Sequence, residues 1–371
     1  MEPKAKDIMA ILEKHYPLHL AEEWDNCGLQ IGDREQRIAK LAVSLDPSPE
    51  IIQEAVSAGV DLLVTHHPLF FSPLKSIDYQ TPNGRLIKLL TGSNMSVYSA
   101  HTNLDSAPQG LNQYLAELIG LEDIMPFSSG RRESFFKLTV YVPESHLEIV
   151  REALGQAGAG HIGLYSHCSF GVAGQGTFKP LPGSQPYIGT ANQLEKVPEY
   201  RLETIVYQRS ISETVQKMLA VHPYQEVAYD LYPLANPGRL ISPGRKGSLP
   251  ETISLEGLAG RVKEVLKLSS IKVVGSLEKP INRVAVVSGS GASFIKSVAA
   301  EGLDVLVTGD VKYHDACLSR DLGLCLIDAG HHGSEQIMVG MLSSMLEQEF
   351  AERHLNCQVI NLYEPDCLKM L

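Results

Sequence analysis

The chain has 371 residues, enough for about two or three domains and a full hydrophobic core. Apolar residues make up 44% and charged residues 20%, an ordinary globular balance. The net charge of −11, without a basic stripe, argues against general nucleic-acid binding, so an anionic substrate would need a metal or a few local cations. Met1–Asp7 is charged and no apolar h-region follows, so no signal peptide is expected. No apolar run approaches the ~20 residues of a membrane span. The six scattered cysteines form no C-x-x-C pair and read as reduced thiols of a cytoplasmic protein.

Residues 4–14 read as an amphipathic helix with Ile8, Ile11 and Leu12 on one face. A polar, turn-like segment follows at 22–28. Residues 41–45 read as a strand, Pro47 to Ala58 as a helix with proline near its first turn, and 61–65 as the next strand. Strand, helix and strand in this order form a βαβ unit with parallel pairing. The unit recurs at 284–288, 294–300 and 304–308. A constant offset of 243 residues aligns Ala42 with Ala285, Gly59 with Gly302, Asp61 with Asp304 and Thr65 with Thr308. Two related half-domains facing each other across a pseudo-two-fold axis are therefore expected, with metals in the shared cleft.

Residues 131–233 look different. Strands at 135–142, 201–207 and 227–232, with helices at 147–157 and near 212–219, give a β-α-β…β-α-β order, which is ferredoxin-like. The expected organisation is a discontinuous metal-binding domain, 1–130 with 234–371, and an inserted α+β domain over 131–233. The Pro- and Gly-rich stretch 233–250 reads as the return linker.

The candidate chemistry lies at strand ends, where parallel α/β sheets place ligand sites. His66 and His67 follow one apolar run and His331-His332 follow another. Imidazole and carboxylate suit divalent transition metals. The histidine pair can reach one cavity but not easily one ion; the alternative is two loop histidines. His331 and Glu335, four apart, share a helix face, or are simply a helix-start histidine and a glutamate favoured by the helix dipole. Asp105 could bridge two ions or cap the helix near Leu111. His101 is a core histidine or a donor that supports a metal-binding carboxylate. The repeat sets Asp310 opposite His67. Asp310 and His332 are the candidate catalytic residues, and Lys312 and His314 are candidates to meet an anionic substrate. Asp310 also fits a polar helix start.

Together these pieces resemble the Nif-three-like family, commonly labelled GTP cyclohydrolase type 2 homologues. The matching segments are residues 23–30 (EWDNCGLQ), 64–69 (VTHHPL), 100–105 (AHTNLD), 308–314 (TGDVKYH) and 329–335 (AGHHGSE). The resemblance covers nearly the whole chain. Segments 158–163 and 168–170, with His222-Pro-Tyr-Gln-Glu226, look like the PII/CutA-like domain of longer bacterial members. We read the last of these as a structural turn. The resemblance implies a dinuclear site of His66, His67, Asp105, His331 and Glu335, a homohexameric ring, and ring opening of GTP with loss of formate.

The expected function is a dinuclear metal-dependent hydrolase acting on a nucleotide or phosphate compound. It would use two divalent ions per chain, zinc first, with iron, manganese or cobalt also suited to the ligand set. The alternative is a non-enzymatic, metal-loaded oligomeric scaffold or small-molecule-sensing regulator. A nucleotide that raises the melting temperature only while metal is bound would favour the first reading.

Overall fold

The computed structural model describes residues 1–127 and 129–368. The chain divides into two compact units, one made of residues 1–130 and 241–371, the other of residues 131–240. Among the described residues no helix is long and apolar enough to cross a membrane.

The first unit holds two sheets. One has five strands in the order Gly28–Ile31, Ser96–Ser99, Leu62–Thr65, Lys40–Ser44 and Gln358–Asn361. The last four are parallel and the first is an antiparallel edge. The other sheet has six strands, in the order Lys272–Val274, Cys325–Asp328, Val305–Gly309, Pro280–Ser290, Arg245–Ser254 and Glu122–Pro126. The second, third and fourth of these strands run parallel. Leu62–Thr65 and Val305–Gly309 are buried along their whole length, as central strands covered on both faces must be.

The 243-residue offset reappears in the hydrogen-bond register. Leu41 pairs with Leu62 and Val43 with Val64; Val284 pairs with Val305 and Val286 with Val307. The polar contacts repeat too. Asp61 Oδ2 accepts the backbone N–H groups of Ala39 and Lys40 at 2.8 and 2.9 Å. Asp304 Oδ2 accepts those of Asn282 and Arg283 at 2.9 and 2.8 Å. The third strands follow a different offset, 229 residues: Ala100 and Ala329 each donate a backbone N–H, to Thr65 and Thr308, at 2.8 Å.

The first βαβ helix runs Pro49–Ser57, not from Pro47, because the Ser48 side chain caps it by accepting from Ile51 N and Pro49 takes the first turn. The stretch 233–250 is not all linker. Arg245–Ser254 is a strand paired antiparallel with both neighbours. Its Pro and Gly neighbours hide the alternation that a strand would show. Arg245 is 2% exposed and donates to the carbonyls of Ser106 and Ala107, tethering the short helix Thr102–Ser106.

In the second unit the strands Phe135–Pro143, Ser169–Phe178, Glu195–Tyr207 and Tyr229–Leu234 and the helices Leu147–Gln156 and Ile211–Val221 follow in β-α-β-β-α-β order. The sheet is antiparallel, with the last strand beside the first and the third between first and second. That is ferredoxin-like connectivity. Leu138, Val140, Val150, Leu154, Leu202 and Val206 form its core. The strand Ser169–Phe178 escapes a periodicity reading because it is exposed along most of its length and so shows no alternation. The unit continues to Leu240, beyond the expected boundary at 233, which falls inside the final strand.

The duplicated carboxylate contacts give a stability test. Asp61→Ala and Asp304→Ala each strand two backbone donors and are expected to destabilise the protein by about 1–3 kcal/mol, by similar amounts. Urea unfolding of the two variants measures this. Losses within about 0.5 kcal/mol, the range of ordinary surface substitutions, would show that the carboxylates do not tie the strands.

Candidate metal centre

The cluster is built at the ends of buried strands. His66 and His67 follow Leu62–Thr65, and their backbone N–H groups bond to Leu45 O at 3.1 and 3.0 Å. Asp105 lies in the helix Thr102–Ser106, which excludes a role as cap of the helix Leu111–Ile119, whose N-cap is Gly110. His331 and Glu335 occupy the helix His331–Glu335 that follows Cys325–Asp328.

Four imidazoles are each held by Nδ1. His66 Nδ1 meets Ala100 O at 2.8 Å, and His67 Nδ1 meets Asp46 Oδ1 at 2.6 Å. His101 Nδ1 meets Asp25 Oδ1 at 2.9 Å, and His331 Nδ1 meets Asp310 Oδ2 at 2.7 Å. An acceptor at Nδ1 fixes the tautomer and leaves the Nε2 lone pair for something else, the arrangement typical of metal-binding histidines.

That something sits around Glu335. His67 Nε2 and His331 Nε2 lie 3.0 and 3.1 Å from Glu335 Oε2, and 3.3 Å from each other. Corners of a tetrahedron around an ion with ~2.0–2.1 Å bonds are about 3.3 Å apart, so the three donors are spaced as ligands of one ion. His66 Nε2 lies 3.6 Å from Glu335 Oε1 and 3.8 Å from Asp105 Oδ1. Glu335 thus stands between the two sides of the cluster, a position the sequence reading gave to Asp105. His66, His67 and His101 form a second group able to share an ion. His66 Nε2 is buried with no well-directed hydrogen bond among the described residues, and Glu335 Oε2, although close to two imidazoles, has none of good direction either. Buried polar atoms with poorly directed contacts are costly, and a cation placed among them would satisfy these lone pairs.

Room for Glu335 comes from Gly289. It has φ 59°, and a Cβ there would lie 2.1 Å from Glu335 Oε1. The remaining sequence candidates take other places than expected. His332 Nε2 turns to the backbone carbonyl of Glu364, 3.0 Å away. Asp310 holds His331 rather than standing clear to order a water. Lys312 and His314 are exposed at the start of the helix Tyr313–Asp321, where Lys312 N bonds Asp315 and His314 packs edge-on to Tyr313.

Sequence reasoning missed Asp25 and Asp46. Asp25 accepts from His101, from both the N–H and hydroxyl of Thr102, and from Cys27 Sγ. It lies in the 23–30 segment already singled out. Asp46 stands just past the strand Lys40–Ser44, a strand-end position like those of the histidines. Trp24 and Phe71 are 64% and 58% exposed and set their rings edge-on to His101, at 6.1 and 5.9 Å. Both line a cavity of about 480 Å³ with Asp25, Asn26 and Leu74.

The electrostatics favour positive charge around Glu335. Burial opposes protonation of His67, but Asp46 and Glu335 outweigh it and raise its pKa to about 10. Glu335 raises His331 to about 9, against burial and with help from Asp310. Burial pushes the Glu335 carboxyl upward, but His66, His331 and His67 hold it well below the usual range. Burial raises the Asp105 carboxyl.

The pH dependence follows in sign. Both histidines have folded-state values above the ordinary 6.5, so without metal their stabilising effect is complete below pH 6.5 and is lost as pH rises through about 9 and about 10. The melting temperature of chelated protein is therefore expected to fall across that window, and metal-loaded protein should show a flatter profile. Loading at neutral pH should also release protons, read by calorimetry in buffers of different ionisation enthalpy. A flat profile after chelation would remove the protonated-imidazole account.

Comparison with known proteins places the chain in a family. The family model for Duf34/NIF3 (NGG1p interacting factor 3) matches residues 3–366. A Halalkalibacterium halodurans protein named GTP cyclohydrolase 1 type 2 homolog is 41% identical over 356 residues, 95% of each chain. A Bacillus subtilis protein of the same name is 42% identical over 334 residues, 90% of this chain and 89% of that one. The crystal structure of a Bacillus cereus protein related to NIF3 matches with a TM-score of 0.83 at 37% identity, over 100% of both chains. The chain belongs to the Duf34/NIF3 family.

Proposed function

We propose that this cluster is a dinuclear metal centre of a hydrolase acting on a nucleotide or related phosphate compound, with GTP ring opening as the reaction that the relatives' name suggests. The observation that carries it is the set of Nδ1-anchored imidazoles whose Nε2 atoms gather about the buried Glu335 carboxylate. His66, Asp105 and Glu335 would hold one ion, and His67, His331 and Glu335 the other. Zinc suits this donor set first. Such ions, when bound, supply Lewis acidity toward a carbonyl or phosphoryl oxygen and acidify water.

The rest is the work of the chain's own residues. Asp46 and Asp310 keep His67 and His331 in the ligating tautomer. Asp25 aims His101 at the histidine pair, which makes His101, rather than His332, the residue set to hold a proton near the reacting atoms. The exposed rings of Trp24 and Phe71 beside His101 offer faces on which a purine can stack. The residues 131–240 form, in this reading, an inserted PII/CutA-like domain, and the assembly is a homohexamer.

Metal analysis with turnover on a nucleotide panel tests the proposal. Wild-type protein is expected to bind about two ions per chain, and Asp105→Ala and His331→Ala to bind fewer while remaining folded. Stoichiometry at or below one after careful loading would sink the dinuclear centre. Two bound metals with no turnover on any nucleotide would favour the scaffold alternative.

Two variants separate positioning from chemistry. Asp310→Ala should weaken metal affinity by roughly 10–100-fold, the usual cost of removing a histidine's supporting partner. Unchanged affinity would leave Asp310 as a loop residue ahead of the helix Tyr313–Asp321, whose N-cap is Lys312. Trp24→Ala should raise KM for the nucleotide about 10-fold, the scale of one lost base-stacking contact, with kcat within about threefold. An unaltered KM would rule out the stacking role.

A further inference from the structure

The unit of residues 131–240 contains its own cavity, about 540 Å³ in volume, a size suited to a small organic ligand. Its walls are rings and aliphatic side chains, among them Tyr141, Phe178, Tyr187, Ile188 and Tyr224. The Tyr224 ring stands 5.9 Å from Phe178 and 6.3 Å from Tyr187. Tyr187 is 52% exposed and Leu181, also on the wall, 65%. So much open aromatic and aliphatic surface around one hollow is a recognition feature rather than a core.

Into this apolar hollow the fold sets one buried carboxylate. Glu199 is 8% exposed and lines the cavity from the strand Glu195–Tyr207. Its placement is built. Tyr224 Oη donates to Glu199 Oε1 at 2.8 Å. Tyr224 is itself fixed by His222, whose Nδ1 accepts from Tyr224 N at 3.2 Å while Nε2 donates to Tyr141 O at 3.0 Å. The neighbouring strand leaves space at Gly176, where a Cβ would fall 1.8 Å from Glu199 Oε2. Gln225 accepts from Gln185 N at 2.8 Å and so pins the wall loop to the same turn. Among the described residues nothing bonds to Oε2 of Glu199. Of the other charged lining residues, Lys179 and Glu226 are both exposed and opposite in sign.

We propose that this cavity is a binding site for a protonated organic amine with an apolar or aromatic body. Its ammonium group donates to Glu199 Oε2 and lies against the faces of Tyr224, Tyr187 and Phe178, while its body fills the aliphatic wall. Ring faces attract cations, and the one buried charge is negative. A carboxylate ligand would meet Glu199 with like charge, and a neutral one would leave its charge unpaired. The His222-Pro-Tyr-Gln-Glu226 segment is then the positioning element of the site and not only a turn. The proposal does not depend on the metal centre.

Calorimetric titration of the full-length protein at neutral pH with 2-phenylethylamine, 2-phenylethanol and phenylacetate tests it. The amine is expected to bind one per chain with a Kd near or below about 1 mM, and at least about 10-fold more tightly than the alcohol or the acid. Glu199→Gln should abolish that preference and leave the weak alcohol binding unchanged. Tyr187→Ala, at an exposed wall position, keeps the carboxylate and should weaken both ligands, the amine more than the alcohol. Three results would overturn the proposal: an amine no tighter than its alcohol, an amine affinity untouched by a folded Glu199→Gln protein, or no amine binding up to about 10 mM.

Discussion

The centre depends on one buried carboxylate. Glu335 is 4% exposed, and charge in such a place is tolerated only beside opposite charge or a metal. Three histidines from two distant stretches of chain close around it, and each is clamped at Nδ1 so that it cannot turn away. Protons or metal ions can supply the positive charge. The raised His67 and His331 values and the lowered Glu335 value are the proton-bound answer, and competition between protons and metal for the same lone pairs is its consequence. The strand ends, the short helix His331–Glu335 and Gly289 all serve this convergence.

The two halves share a scaffold but not a set of roles. At one position of the repeat the first half has Asp46 and the second has Gly289; at another the first has His67 and the second Asp310. Asp46 supports the histidine at the end of the next strand of its own half. Its counterpart must be glycine, because Glu335 fills the space a side chain would need. The second half therefore takes its supporting carboxylate from Asp310, which reaches His331 one strand further on. A duplicated framework with exchanged side chains yields one site rather than two.

The unit of residues 131–240 follows a different logic. Its metal-like motif, His222-Pro-Tyr-Gln-Glu226, spends the histidine on backbone bonds and the tyrosine on Glu199. Burial disfavours the charged form of His222, as suits a ring fixed between a carbonyl and an amide. What the motif organises is a carboxylate among aromatic rings, and nothing in its spacing announces that partner, which lies 25 residues away.

The parallel βαβ units, the 243-residue repeat and the β-α-β…β-α-β order were legible in the sequence, since buried strands, amphipathic helices and closing glycines are local signals. So were the residues that crowd the centre, because His66-His67, Asp105 and His331 with Glu335 combine metal-binding chemistry with strand-end positions. Other features were decided by tertiary structure. The strand Ser169–Phe178 is exposed and lacks alternation, and the strand Arg245–Ser254 is masked by turn-forming residues. Asp25 and Asp46 gain their meaning only from the histidines they touch, His101 and His67, which are 76 and 21 residues away. Glu335 displaced Asp105 from the central place, and His332 was sent to a backbone carbonyl, because a helix turn only a few residues long fixes which side chains face inward. Spacing names the residue types a site can use; the direction of each side chain and its supporting partner are set by how distant segments pack.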